Sequence, residues 1–139
     1  MLDFGSVIAI GLTSMVLSRE MEGGFAMPQM MQRLMEQYIA EVKKIYGMHL
    51  RKVILYGSYA RGDFKADSDV DIMILLDLSD MELKKYSQRL SYMTYDFSLD
   101  NDLDIKPIAK SEAHFQKWIS SYPFYANIHK EGVILYGAA

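Results

Sequence analysis

The sequence predicts an α+β domain, a small mixed β-sheet with flanking helices in the order α-β-β-α-β-α-β. Three observations carry that reading. The run Ile72 to Leu76 is continuously apolar, as in a strand covered on both faces. Stretches with apolar residues three and four apart lie on either side of it, as in amphipathic helices. A third apolar segment contains Pro107, which belongs at the edge of a sheet or at a strand end. At 139 residues the chain has room for one core and little else.

Each element has its own warrant. From Pro28 to Tyr46 a stripe runs through Met31, Leu34, Met35, Tyr38, Ile39, Val42, Ile45 and Tyr46. Pro28 suits a first turn and Gly47 a stop, so this is the first helix. Lys52 to Tyr56 is a short buried strand that meets a tight turn at Gly57-Ser58. Asp69 to Asp77 is the second strand. Ser79 and Glu82 form a capping box that opens a helix reaching about Asp96, with Leu83, Tyr86, Leu90 and Met93 on one stripe. Leu103 to Ala109 is the third strand. Ser111 caps a helix that turns Phe115, Trp118 and Ile119 inward. After Pro123 a further helical turn or two leads to Gly132 and a last strand, Val133 to Tyr136.

Ahead of these elements, residues 1–26 show no clean period and end near Gly23-Gly24. They are expected to form a loosely ordered extension, with the domain spanning residues 27–139. The apolar run Val7 to Leu17 could instead cover a sheet edge or a partner. It is too short to span a bilayer, which needs roughly 20 apolar residues. It also lacks the basic start and small-residue cleavage site of a secretory signal. A cytoplasmic protein with no membrane partner is expected.

Composition removes several classes of function. Half the residues are hydrophobic and 24% are charged, which excludes a disordered or fibrous chain. With no cysteine there is no disulfide scaffold, thiolate zinc site or cysteine nucleophile. A net charge of −3 argues against strong nonspecific nucleic-acid binding.

The chemistry gathers around the first two strands. All but one of the aspartates lie between Asp63 and Asp104. Asp69 and Asp71 are two apart, so both project from one face of a strand while Val70 and Ile72 turn into the core. Two like charges at the mouth of a buried sheet call for a cation between them, and carboxylate oxygens suit Mg²⁺. The preceding turn adds to this. Gly57 permits close backbone approach to a ligand, Ser58 offers a hydroxyl, and Arg61 a planar fork suited to phosphate oxygens. Either half alone is weak. Gly57-Ser58, ten residues from Tyr59 to Ser68, then Asp69-Val70-Asp71 is a specific combination.

That combination resembles the signature of the nucleotidyltransferase superfamily shared with DNA polymerase β. In compactness the chain is similar to the minimal nucleotidyltransferases, the MNT group, which often pair with HEPN-domain toxins. The resemblance covers roughly Lys52 to Tyr136 and implies transfer of a nucleoside monophosphate from a nucleoside triphosphate to an acceptor, releasing pyrophosphate. It implies that Gly57 and Ser58 hold the triphosphate while Asp69 and Asp71 bridge two Mg²⁺ ions. Arg61 matches a phosphate-contacting arginine, and Ser68 is placed to contact the terminal phosphate. The third carboxylate of the family lies on the next strand. Asp104 fits between the core-facing Leu103 and Ile105, and Asp100 and Asp102 compete through their shared parity.

ATP is the expected donor, and the acceptor expected by resemblance is a tyrosine on a partner HEPN toxin, which would make this chain an antitoxin. Two rivals stand beside that reading: a non-catalytic binding module, and transfer to a small molecule of the aminoglycoside type. Among the other conspicuous residues, Lys106 shares a face with Asp104 and either touches phosphate or pairs with an aspartate. Tyr56 and Tyr59 flank the glycine turn and are expected in the core, the alternative being that one faces a nucleotide base. Phe115, Trp118, Tyr122, Phe124 and Tyr125 suit a second small core. His49, His114 and His129 have no spacing that suggests a metal site.

Overall fold

A computed structural model describes residues 27–138. The expectations for residues 1–26, including the Val7 to Leu17 run, and for Ala139 lie outside the described residues. Among the described residues four strands form one sheet: β1 (Leu50–Tyr56), β2 (Val70–Leu76), β3 (Ile105–Ser111) and β4 (Val133–Gly137), in the spatial order β3-β2-β1-β4. β1 runs antiparallel to both β2 and β4, and β3 is parallel to β2, so the sheet is mixed. Pro107 lies in β3 at one edge, where a missing N–H is tolerated.

The pleat sorts the strand residues into two cores. On one face Val53, Leu55, Val70, Ile72, Ile74, Leu76 and Ile105 pack under α1 (Gln29–Tyr46), whose Met31, Met35, Tyr38, Ile39, Val42 and Tyr46 are all buried. On the other face Ile54, Met73, Leu75 and Ile134 pack with Phe115, Tyr125 and Ile128. These last three come from α5 (Glu112–Trp118) and α6 (Pro123–Glu131). From Ile72 to Leu76 every residue is buried, as the unbroken apolar run predicts. No helix among the described residues is long and apolar enough to cross a membrane.

Beyond shifts of one or two residues at strand ends, the structure departs from the sequence reading in three ways. The helix opened by Ser79 does not run on to Asp96. Ser79 and Glu82 do form the capping box, but the helix is a single turn, α3 (Asp80–Leu83). The next amides donate three residues back, Lys85 to Glu82 and Tyr86 to Leu83, which tightens the chain and re-aims it. A longer helix, α4 (Ser87–Asn101), then continues past Asp96 and ends at Asp102, whose left-handed φ of 53° breaks the spiral. Because the chain needs Leu103 and Asp104 to swing from α4 into the sheet, β3 begins at Ile105 and ends at Ser111. Tyr122 and Phe124 are the third departure. They are 46% and 47% exposed, at the rim of the second core.

Candidate functional site

The site is built outward from the end of β1. Tyr56 finishes the strand, and Gly57 takes φ 79°, a conformation glycine adopts without steric cost. One helical turn follows, α2 (Ser58–Arg61), with the Ala60 and Arg61 amides donating to the Gly57 carbonyl at 3.1 and 3.0 Å. Tyr59 turns inward and stacks on Phe64, ring centroids 4.4 Å apart, which fastens the turn to the first core. Gly57 matters for a second reason. A Cβ there would overlap Asp71 Oδ2, so the missing side chain is the space the carboxylate occupies.

Register brings the charged residues into line. Asp71 is the partner of Tyr56 on β1 and of Lys106 on β3. Asp69 precedes the first residue of β2 and shares the parity of Asp71, Met73 and Leu75, so both carboxylates belong to the face covered by α5 and α6. Burial, and then the Asp69 charge, push the Asp71 carboxyl above its ordinary range, while Arg61 and Lys106 pull it back. Tyr56 is pushed up to about 12, by burial first and by Asp71 second.

Asp104 reaches the sheet without entering β3. Its carbonyl accepts from the Val70 amide at 2.9 Å, which sets it beside Asp69, and its carboxylate pairs with Lys106 at 3.5 Å. Asp100 lies within α4 and Asp102 caps it, so neither belongs to the strand. Arg61 Nε lies 3.3 Å from Asp63 Oδ2 and is half exposed. Ser68 Oγ accepts from the Lys65 amide at 2.7 Å, closing the loop ahead of Asp69. Ser58 opens α2 and makes no side-chain cap.

Beside the turn is a cavity of about 250 Å³ lined by Tyr56, Gly57, Arg61, Phe124, Asn127 and Glu131, among others. Sequence reading missed Asn127 and Glu131 altogether. They stand on α6, far along the chain, and only their helical spacing from Phe124 hinted at a shared face. A larger hollow of about 680 Å³ lies between α4 and β3 and meets the carboxylates only at Asp104. His49 pairs with Asp77 at 2.8 Å, away from the site.

The donor set fits a hard divalent ion by its chemistry: carboxylate oxygens from Asp69 and Asp71 on one face, a third carboxylate just ahead of the adjoining strand, and a glycine that leaves Asp71 its room. Among the described residues no three acids or imidazoles stand together as a finished cation cage. Asp69 and Asp71 adjoin, whereas Asp104 is turned toward Lys106.

The nucleotidyltransferase domain family matches residues 35–125. A Methanocaldococcus jannaschii protein named as a candidate protein adenylyltransferase is 32% identical over 113 residues, covering 76% of this chain and 97% of its own. Another protein of that organism with the same description is 37% identical over 57 residues, covering 41% of this chain and 56% of its own. A solved candidate nucleotidyltransferase from Sulfolobus solfataricus aligns with TM-score 0.46 and 22% identity, over 73% of this chain and 76% of that one. A toxin–antitoxin structure with AMP-PNP aligns with TM-score 0.41 and 20% identity, over 73% of each chain. The matched region takes in the glycine turn and all three carboxylates, and the chain belongs to the nucleotidyltransferase domain family.

Proposed function

We propose that this nucleotidyltransferase moves AMP from ATP to a hydroxyl on a protein, with a tyrosine of a HEPN-domain toxin as the acceptor. The observation that carries the chemistry is the packing of Gly57 against Asp71 beside Asp69, with Asp104 held next to β2 through the Val70 amide. A protein acceptor is supported by the name of the relative that matches over nearly its whole length. The toxin partner rests on the resemblance of the Gly57-Ser58 to Asp69-Val70-Asp71 motif to minimal nucleotidyltransferases.

In this reading Gly57 and Ser58 cradle the triphosphate, and Arg61 and Ser68 steady its outer phosphates. Asp69 and Asp71 would hold two Mg²⁺ ions, with Asp104 as a further ligand for one of them. Bound Mg²⁺ would neutralise charge on the attacking and leaving oxygens. The acceptor oxygen forms a bond to the α-phosphorus, the bond from that phosphorus to the bridging oxygen breaks, and pyrophosphate departs. Asp104, at the rim of the face, takes the hydroxyl proton. Incubation with α-labelled ATP, Mg²⁺ and the protein encoded in the adjacent reading frame tests this directly. Label on a partner tyrosine is the expected result. A tight but unlabelled complex would show a binding module, and label on an aminoglycoside alone would show a small-molecule enzyme.

A further inference from the structure

Lys106 occupies an unusual place for a lysine. The parallel register sets it across from Asp71, so it stands on that residue's face of the sheet. Its Nζ lies 3.5 Å from Asp104 Oδ1, and it also acts on the Asp71 carboxyl together with Arg61. The carboxylate that should complete the set is therefore engaged by a cation belonging to the chain itself.

We infer that Lys106 is the resident counter-cation of this face, holding Asp104 aside until a divalent cation displaces it. The inference rests on the reading of Asp69, Asp71 and Asp104 as metal ligands. Like charges on one sheet face repel, and a tethered ammonium relieves that repulsion without any ligand. The pair is more than half exposed on both sides, 56% for Lys106 and 60% for Asp104, so its hold is weak and reversible. A metal that needs Asp104 must compete with the lysine. Lys106 is thus a positioning residue: it acts on the metal through Asp104.

The competition is read by titrating the protein with Mn²⁺ alone and following free Mn²⁺ by electron paramagnetic resonance. Lys106→Met should bind Mn²⁺ about three- to fivefold more tightly, the range an exposed ion pair can supply. Lys106→Gln should match it, and Lys106→Arg should return to the parental affinity. Without metal, Lys106→Met should melt below the parent, because the carboxylates lose their counter-charge. Unchanged or weaker Mn²⁺ binding in Lys106→Met and Lys106→Gln would overturn the inference while leaving the carboxylates as ligands. Asp71→Asn separates the two readings. If Mn²⁺ binding survived that change, the carboxylate face would not be the metal site, and both would fall.

Discussion

Gly57 and Asp71 face each other across β1 and β2, and the chemistry of the site depends on that closeness. Asp71 is packed against a backbone with no side chain, and burial together with Asp69 raises its carboxyl above the ordinary range. A carboxyl raised in the fold favours its neutral form. Its contribution to stability is present below the unfolded pKa and is lost as pH rises through the folded one. The ligand-free parent should therefore lose stability just above the usual carboxylate range, and Asp71→Asn should not show that loss. At neutral pH the Asp71→Asn protein should melt at the parental temperature or slightly above it. The rise in melting temperature on adding Mg-ATP should nearly vanish, and transfer should fall by orders of magnitude. Loss of stability with a retained Mg-ATP response would mark Asp71 as structural.

Two helices hold the first core, and one buried contact ties them. The Tyr38 hydroxyl on α1 and the Thr94 hydroxyl on α4 lie 2.7 Å apart, and Phe97 meets the Tyr38 ring edge-on at 5.3 Å. Thr94→Val keeps the shape but strands a buried phenol, which should cost about 1–3 kcal/mol in denaturant unfolding. Adding Tyr38→Phe should recover part of that loss, since removing both partners leaves nothing unsatisfied. This contact was not legible in the sequence, where Thr94 lies next to the Met93 stripe with nothing to mark it as buried. The α1 stripe, the capping box and the proline at the edge of β3 were legible, because each is written in local spacing. The break between α3 and α4 was not, since Lys84, Lys85 and Tyr86 include no glycine or proline. In the site, the parity of Asp69 and Asp71 could be read from one strand. The pairing of Lys106 with Asp104 was one of two readings open from their i, i+2 spacing, whereas the approach of Gly57 to Asp71 depends on strand pairing, which no single segment encodes.

The molecule as a whole is closed by its tyrosines as well as by its aliphatic core. Tyr38, Tyr46 and Tyr56 are each pushed up to about 12, chiefly by burial. Their contribution is fully present below the ordinary value of 10 and is lost as pH rises through about 12. The unfolding midpoint should therefore fall steeply between about pH 10 and pH 12, in step with a late phenolate absorbance change. A flat midpoint across that window would mean the phenols ionise without opening the core. We also propose that residues 27–139 form the folding unit. A chain starting at Met27 should keep its cooperative melt and its nucleotide response, and loss of either would show that the first 26 residues pack on the domain.

The sheet order has a consequence for the timing of synthesis. β1, which leads into the glycine turn, lies between β2 and β4, and β4 is the last of these four strands to be made. At a ribosome speed of about 5–20 residues per second, roughly 4 to 15 s separate Gly57 from Val133. Throughout that interval the nascent β1 has one open edge, available to chaperones or to a neighbouring chain. Nascent chains arrested before Val133 should therefore be cut readily by protease, whereas those arrested after β4 has left the exit tunnel should resist.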